Sequence, residues 1–141
     1  MRDILFRGKR VENGEWVYGS LIKLRIGDFI VDEENTRPLV GCGEYDFNFK
    51  STVVKSDSVS EFTGLIDKND KKIFEGDIVI DKYDCERFGF VGVVEYVKGR
   101  SAFEIVNKKH PDYVVNLGSR INSVKVIGNI HDNPELLKGE E

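Results

Sequence analysis

Three observations predict an all-β fold with a minor C-terminal helical turn. Residues 61 to 80 read as a hairpin followed by the start of a new strand, because two short apolar runs flank the polar tetrad Asp67-Lys68-Asn69-Asp70 and Glu75-Gly76-Asp77 then launches Ile78-Val79-Ile80. The second half repeats the rhythm of strand, loop, strand, turn, strand. Near the C-terminus, Asn133 as N-cap and Pro134 at the first helical position begin a single turn of helix. That pattern divides the 141 residues into an N-terminal β-sheet lobe over residues 1–60 and a C-terminal SH3-like small barrel over 61–141 that carries the short helix.

The first strand is expected at Ile4-Leu5-Phe6, with Arg7-Gly8-Lys9-Arg10 as its charged exit. Asn13-Gly14 follows, the pair that supplies the positive φ angles of a type I′ hairpin. Beyond it, Trp16 to Ile22 alternates with apolar residues on both faces, so a second layer must cover one of them. Asp28 to Val31 reads as a short strand, and Asp32 to Pro38 as an exposed, proline-terminated loop. Tyr45, Phe47 and Phe49 then alternate with polar residues, which puts three rings on one face of an extended segment.

Past the central hairpin, Phe88 to Val97 contains Gly89 and Gly92, which point to a bulge or sharp bend. Lys98 to Ser101 is a tight turn into Ala102 to Val106. Tyr113 to Val115 is a further short segment, and Ser123 to Ile130 the last strand, with Val124, Val126 and Ile130 on one face. Leu136 and Leu137 must dock on the barrel, since one turn of helix cannot stand alone. The expected core comprises Trp16, Tyr18, Phe62, Leu65, Phe74, Ile78, Val91, Val93, Phe103, Val126 and Ile130.

Composition sets the functional bounds. With 40% hydrophobic and 33% charged residues the chain has the balance of an ordinary globular protein. No apolar run approaches the roughly 20 residues that span a bilayer, and the N-terminus lacks the apolar core of a secretory signal, so a cytoplasmic protein without membrane passage is expected. Cys42 and Cys85 have neither the spacing nor the co-ligands of a zinc site and are expected to be reduced, inert thiols; no cofactor is implied. The net charge of −4 divides into −1 for residues 1–60 and −3 for 61–141, so neither half is a basic platform.

Three blocks carry a resemblance. Phe6-Arg7-Gly8-Lys9-Arg10 with Asn13 to Gly19, then Phe62-Thr63-Gly64-Leu65 through Glu75-Gly76-Asp77-Ile78-Val79, then Ile127 to Leu137, taken in that order, resemble the YopX family. The resemblance implies a small, mostly β protein encoded by bacteriophages and prophages, found inside the bacterial cell and without an established biochemical activity. One departure stands in the central turn: similar proteins tend to carry Lys-Asn-Gly, whereas this chain has Lys68-Asn69-Asp70, and Asp tolerates positive φ less well than Gly.

Catalysis finds little support in the residues. There is no Gly-x-x-x-x-Gly-Lys-Ser/Thr loop and no Gly-x-Gly-x-x-Gly, while the carboxylates of Glu75, Asp77 and Asp132 read as turn and cap chemistry. A protein-interaction module for a host or phage protein is therefore the first expectation, with enzymatic activity left open but disfavoured by the lack of a catalytic motif. The alternative is nucleic-acid binding, with Arg7, Lys9, Arg10, Lys68, Lys71, Lys72, Lys98, Arg100, Lys108 and Lys109 as candidate phosphate contacts if folding gathers two or more of these clusters on one face. Self-association through open β edges is a third outcome consistent with the sequence.

Overall fold

The computed structural model describes residues 1–32, 37–41, 44–48, 50–82 and 89–138, of which 37–41 and 44–48 are described as backbone. Thirteen strands and several single 3-10 turns appear, with no α-helix among the described residues. The chain forms two compact units, residues 1–61 and 62–141.

The first unit is built on β1 (Phe6–Lys9), β2 (Trp16–Leu24), β3 (Gly27–Val31) and β6 (Ser51–Val54), neighbours in an antiparallel sheet. The first strand starts two residues later than the sequence predicts, because the basic stretch is not an exit but the paired segment: Arg7 lies opposite Tyr18 and Lys9 opposite Trp16. The sheet curls until β6 meets the far end of β1. Arg10 bridges to Val54, Val11 N–H donates to the Val53 carbonyl, and Lys55 N–H donates to the Lys9 carbonyl. Inside the curl sit Val17, Ile30 and Val54, with Phe6, Leu21 and Val59 packed around them. A separate pair, β4 (Arg37–Gly41) and β5 (Glu44–Asn48), runs antiparallel with Pro38 opposite Phe47, so the loop predicted to end at Pro38 gives way to a strand by Arg37. Phe49, Cys42 and Cys85 lie outside the described residues, as do the side chains of Tyr45 and Phe47.

The Asn13-Gly14 connection is not a type I′ turn. Only Gly14 takes positive φ, at 72°; Asn13 does not, and its side-chain oxygen instead accepts from Glu15 N–H at 3.0 Å. Gly14 N–H donates to the Arg10 carbonyl and Arg10 N–H to Glu15, which makes a wider, four-residue loop. Trp16 and Tyr18 are also not core: β2 turns Val17 and Gly19 inward, leaving Trp16 half-buried and Tyr18 exposed.

Strand β7 (Ser60–Ile66) begins in the first unit, where Ser60 and Glu61 pair with β1, and continues into the second, where it pairs with β8 (Lys72–Phe74). In the second unit β9 (Asp77–Asp81), β10 (Phe90–Val97), β11 (Ala102–Val106), β12 (Val114–Asn116) and β13 (Val124–Asn129) form one antiparallel sheet in the order β12-β11-β10-β9-β13. The predicted barrel closure is not found: among the described residues no ladder joins β12 to β13. Two causes are visible. At only three residues, β12 runs straight into the 3-10 turn Gly118–Arg120, and the outer edge of β13 is occupied by the central turn, whose Lys68 N–H donates to the Val124 carbonyl.

The core of this unit gathers Ile73, Val79, Val94, Ile105, Leu117, Val124 and Val126, with Leu65, Phe90, Phe103 and Ile121 against it. Gly92 does not mark a bulge. Strand β10 keeps register throughout, and a Cβ there would lie 2.6 Å from the Ile105 side chain, so glycine serves close packing. The register shift falls instead in β13, between Val126 and Gly128, and it is why Ile130, predicted inward, is exposed. The C-terminal turn Pro134–Leu137 is a 3-10 turn; the Asn133 side chain makes no cap to it and accepts instead from Asn129 N–H. Leu136 and Leu137 are half-buried.

Candidate functional site

Cross-strand partners share a face of a sheet, so the register of the first unit sorts its side chains. Arg7, Lys9, Trp16, Tyr18, Ser20, Ile22, Leu24, Phe29, Val31, Ser51 and Val53 lie on the face opposite the Val17-Ile30-Val54 core. On it Tyr18 is 47% exposed, Ile22 41%, Leu24 54% and Val53 43%, with Ile26 at 82% in the adjoining β2–β3 turn. These strand positions contain no carboxylate. Their charge is that of Arg7 and Lys9, both drawn over the Trp16 ring, with the Arg7 guanidinium carbon 4.6 Å and the Lys9 Nζ 5.4 Å from its centroid.

The residues expected to bind phosphate are spread over both units. Arg7 is buried, Lys9 is half-buried on Trp16, and Arg10 reaches Thr52 through Nη1 at 3.4 Å. In the second unit Lys68, Lys71 and Lys72 are exposed on and beside the central turn, Lys72 with its Nζ 5.5 Å from the Phe62 ring centroid. Lys98 is exposed at the β10–β11 turn, where Arg100 closes a two-pronged ion pair with Glu104, both contacts at 2.5 Å. That hydrogen-bonded pairing raises the Arg100 guanidinium and lowers the Glu104 carboxyl below its ordinary range, against the opposing effect of burial. Lys109 Nζ donates to the Lys138 carbonyl at 3.3 Å, and Lys108 is exposed beside it.

The turn that organises the second unit is built by one side chain missed in the sequence reading. Asp67 is 4% exposed. Its Oδ1 accepts from Asn69 N–H at 2.8 Å and Lys71 N–H at 3.0 Å, while Oδ2 accepts from Val126 N–H at 2.9 Å. Burial pushes its carboxyl up, but the three backbone donors, that of Val126 foremost, and the Lys71 charge outweigh it, so the group titrates below its ordinary 3.8. The Asp-x-Asn-x-Lys spacing is an Asx-turn signal, which could have revealed the local half of this network; the contact to Val126 is 59 residues away and has no local signature. Asp70 takes the left-handed conformation, φ 62°.

A groove of about 360 Å³ lies on the second face of the five-stranded sheet, under the C-terminal turn. Val93, Val106, Ile130 and Leu137 supply its apolar walls and Glu95, Asn107, Lys108 and Lys109 its polar ones. Among the described residues no group of three His, Cys, Asp or Glu side chains could hold a metal ion, and no helix is long and apolar enough to cross a membrane.

The family model of the YopX protein matches residues 5–138. The chain belongs to the YopX family. The crystal structure of protein EF1440 from Enterococcus faecalis is similar over 97% of this chain and 99% of that one, with a TM-score of 0.62 and 23% identity. At that identity the likeness is one of fold. No curated protein matches the sequence.

Proposed function

We propose that this YopX-family chain is a phage or prophage accessory protein that acts in the bacterial cytoplasm as a protein-interaction module. One observation carries the reading: the outer face of the N-terminal sheet exposes Tyr18, Ile22, Leu24 and Val53 together, with Ile26 at its end. Apolar side chains clustered on one sheet face, rather than scattered singly, are what an interaction surface presents. Cations at one border and no carboxylate among the strand positions favour a protein partner that offers apolar side chains flanked by acidic ones. The second unit serves as an SH3-like scaffold. In its five-stranded sheet β9 lies between β10 and β13, and a 3-10 turn separates β12 from β13, which supports that plan without a closed barrel.

Nucleic-acid binding fits less well. The Trp16 ring, where a base would stack, already carries Arg7 and Lys9, and Arg100 is committed to Glu104.

Affinity recovery of the tagged chain from a phage-carrying lysate, with and without nuclease, tests the reading when run beside Tyr18→Ser/Ile22→Ser. Both side chains are exposed, so the variant is expected to keep the wild-type melting temperature. A defined protein that survives nuclease and is lost with the variant is the expected result. Recovery abolished by nuclease, or unchanged by the variant, overturns it.

A further inference from the structure

We infer that the groove beneath the C-terminal turn is a binding site for a short apolar peptide in its zwitterionic form. The inference concerns a different surface from the one above and does not rest on it. Strand register fixes the arrangement of the site. Val93 faces Val106 across the β10–β11 ladder and makes the floor, which Ile130 and Leu137 extend from the C-terminal segment. Four branched aliphatic side chains around about 360 Å³ make a space within the range of small-ligand pockets, suited to two aliphatic side chains of a ligand.

The polar groups of the groove decide the charge of its occupant. Asn107 is used internally: its Nδ2 donates to the Val91 carbonyl and its Oδ1 accepts from Lys109 N–H. Lys109 is engaged with the Lys138 carbonyl. Glu104, opposite Glu95 in the ladder, is neutralised by Arg100. Glu95 and Lys108 are the carboxylate and the ammonium whose side chains make no hydrogen bond or ion pair among the described residues, while Lys109 keeps its charge and spends one donor on the Lys138 carbonyl. Glu95 stands two residues beyond Val93 along β10, while Lys108 stands two residues beyond Val106 in the opposite direction, so the charges flank the apolar floor at its two ends. The two positions stand about 13 Å apart along the ladder at about 3.3 Å per residue, a span that a dipeptide with free termini fills once the Glu95 and Lys108 side chains reach inward. Its ammonium meets Glu95, its carboxylate meets Lys108, and its side chains meet the four aliphatic residues.

Amide NMR of the full chain, titrated with the dipeptide Leu-Leu, tests this directly. Saturable shifts confined to the amides of Val93, Val106, Asn107, Ile130 and Leu137 are expected. N-acetyl-Leu-Leu, Leu-Leu amide, Glu95→Gln and Lys108→Met should each weaken binding about two- to fivefold, the effect of one partly exposed ion pair. Both substituted side chains lie at the rim, so the dispersion of the variant spectra serves as the check on folding. An absence of saturable shifts, shifts elsewhere only, or equal binding by the end-blocked peptides overturns the assignment.

Discussion

Replacing Asp67 by alanine removes the acceptor that joins the central turn to the last strand, and its cost can be worked from three hydrogen bonds of unequal value. Val126 is buried, so its N–H, 2.9 Å from Oδ2, finds no water once the carboxylate is gone; leaving such a donor unsatisfied costs about 1–3 kcal/mol. The N–H groups of Asn69 and Lys71 belong to exposed residues and can rehydrate, so those two bonds contribute about 0.5–1.5 kcal/mol each. Together the loss is about 2–6 kcal/mol, centred near 4. For a chain of this size about 3 °C accompanies each kcal/mol, so the melting transition should fall by about 12 °C. Far-UV circular dichroism on a thermal ramp reads it. Asp67→Asn should be milder, because the amide oxygen can still serve Asn69 and Lys71 while its NH2 faces the Val126 donor. A fall of less than about 2 °C for the alanine variant would refute the claim that this carboxylate pins β13.

The same group sets an acid limit: its folded value lies below the unfolded 3.8, so its stabilisation is fully present above pH 3.8 and declines as pH falls from there through the folded value. Melting temperatures measured from pH 6 downward should therefore drop below about pH 4 in the wild type and drop less in Asp67→Asn. Asp70→Gly should raise the melting temperature by about 1–2 °C, since relief of a left-handed aspartate slightly exceeds the added freedom of the unfolded chain; a decrease would show that the Asp70 side chain stabilises the turn. Gly76→Val should lower stability by about 1–3 kcal/mol, because Gly76 has φ 83° and both its N–H and its carbonyl are bonded, to Val94 and Ile130; an unchanged melting temperature refutes the turn.

Local chemistry was legible, and nonlocal closure was not. Ala102 to Val106 is a strand at the residues expected, and Gly76 makes the positive-φ turn its neighbours announce, because each depends only on a few adjacent residues. Asn13-Gly14 failed for a related reason. Its dipeptide permits a type I′ turn, but the ladder ends at Lys9 opposite Trp16, leaving too many residues for two to close the loop. With apolar residues on both faces of β2, alternation alone does not choose between Trp16-Tyr18 and Val17-Gly19; the inward places go to Val17 and Gly19 through the register set by β1 and β3.

The candidate surfaces follow from the same distinction. Tyr18, Ile22, Leu24 and Val53 come from two strands separated by more than twenty-five residues of sequence, and no single stretch reveals that they share a face turned away from a core. Curling of the first sheet, sealed where Arg10 meets Val54, creates an inside and therefore an outside. In the second unit the Asp67 turn takes the edge of β13, and the sheet stays open with the C-terminal turn laid against its second face. Val93 and Val106 stand on the face opposite the Val94-Ile105 core, which is why they are reached from outside, beneath Leu137. Ile130 of the groove follows β13 directly, so the Asp67 contact to that strand bears on the groove from outside it. Loosening the contact with Asp67→Asn should weaken groove binding only as far as it shifts β13 and the Ile130 that follows it.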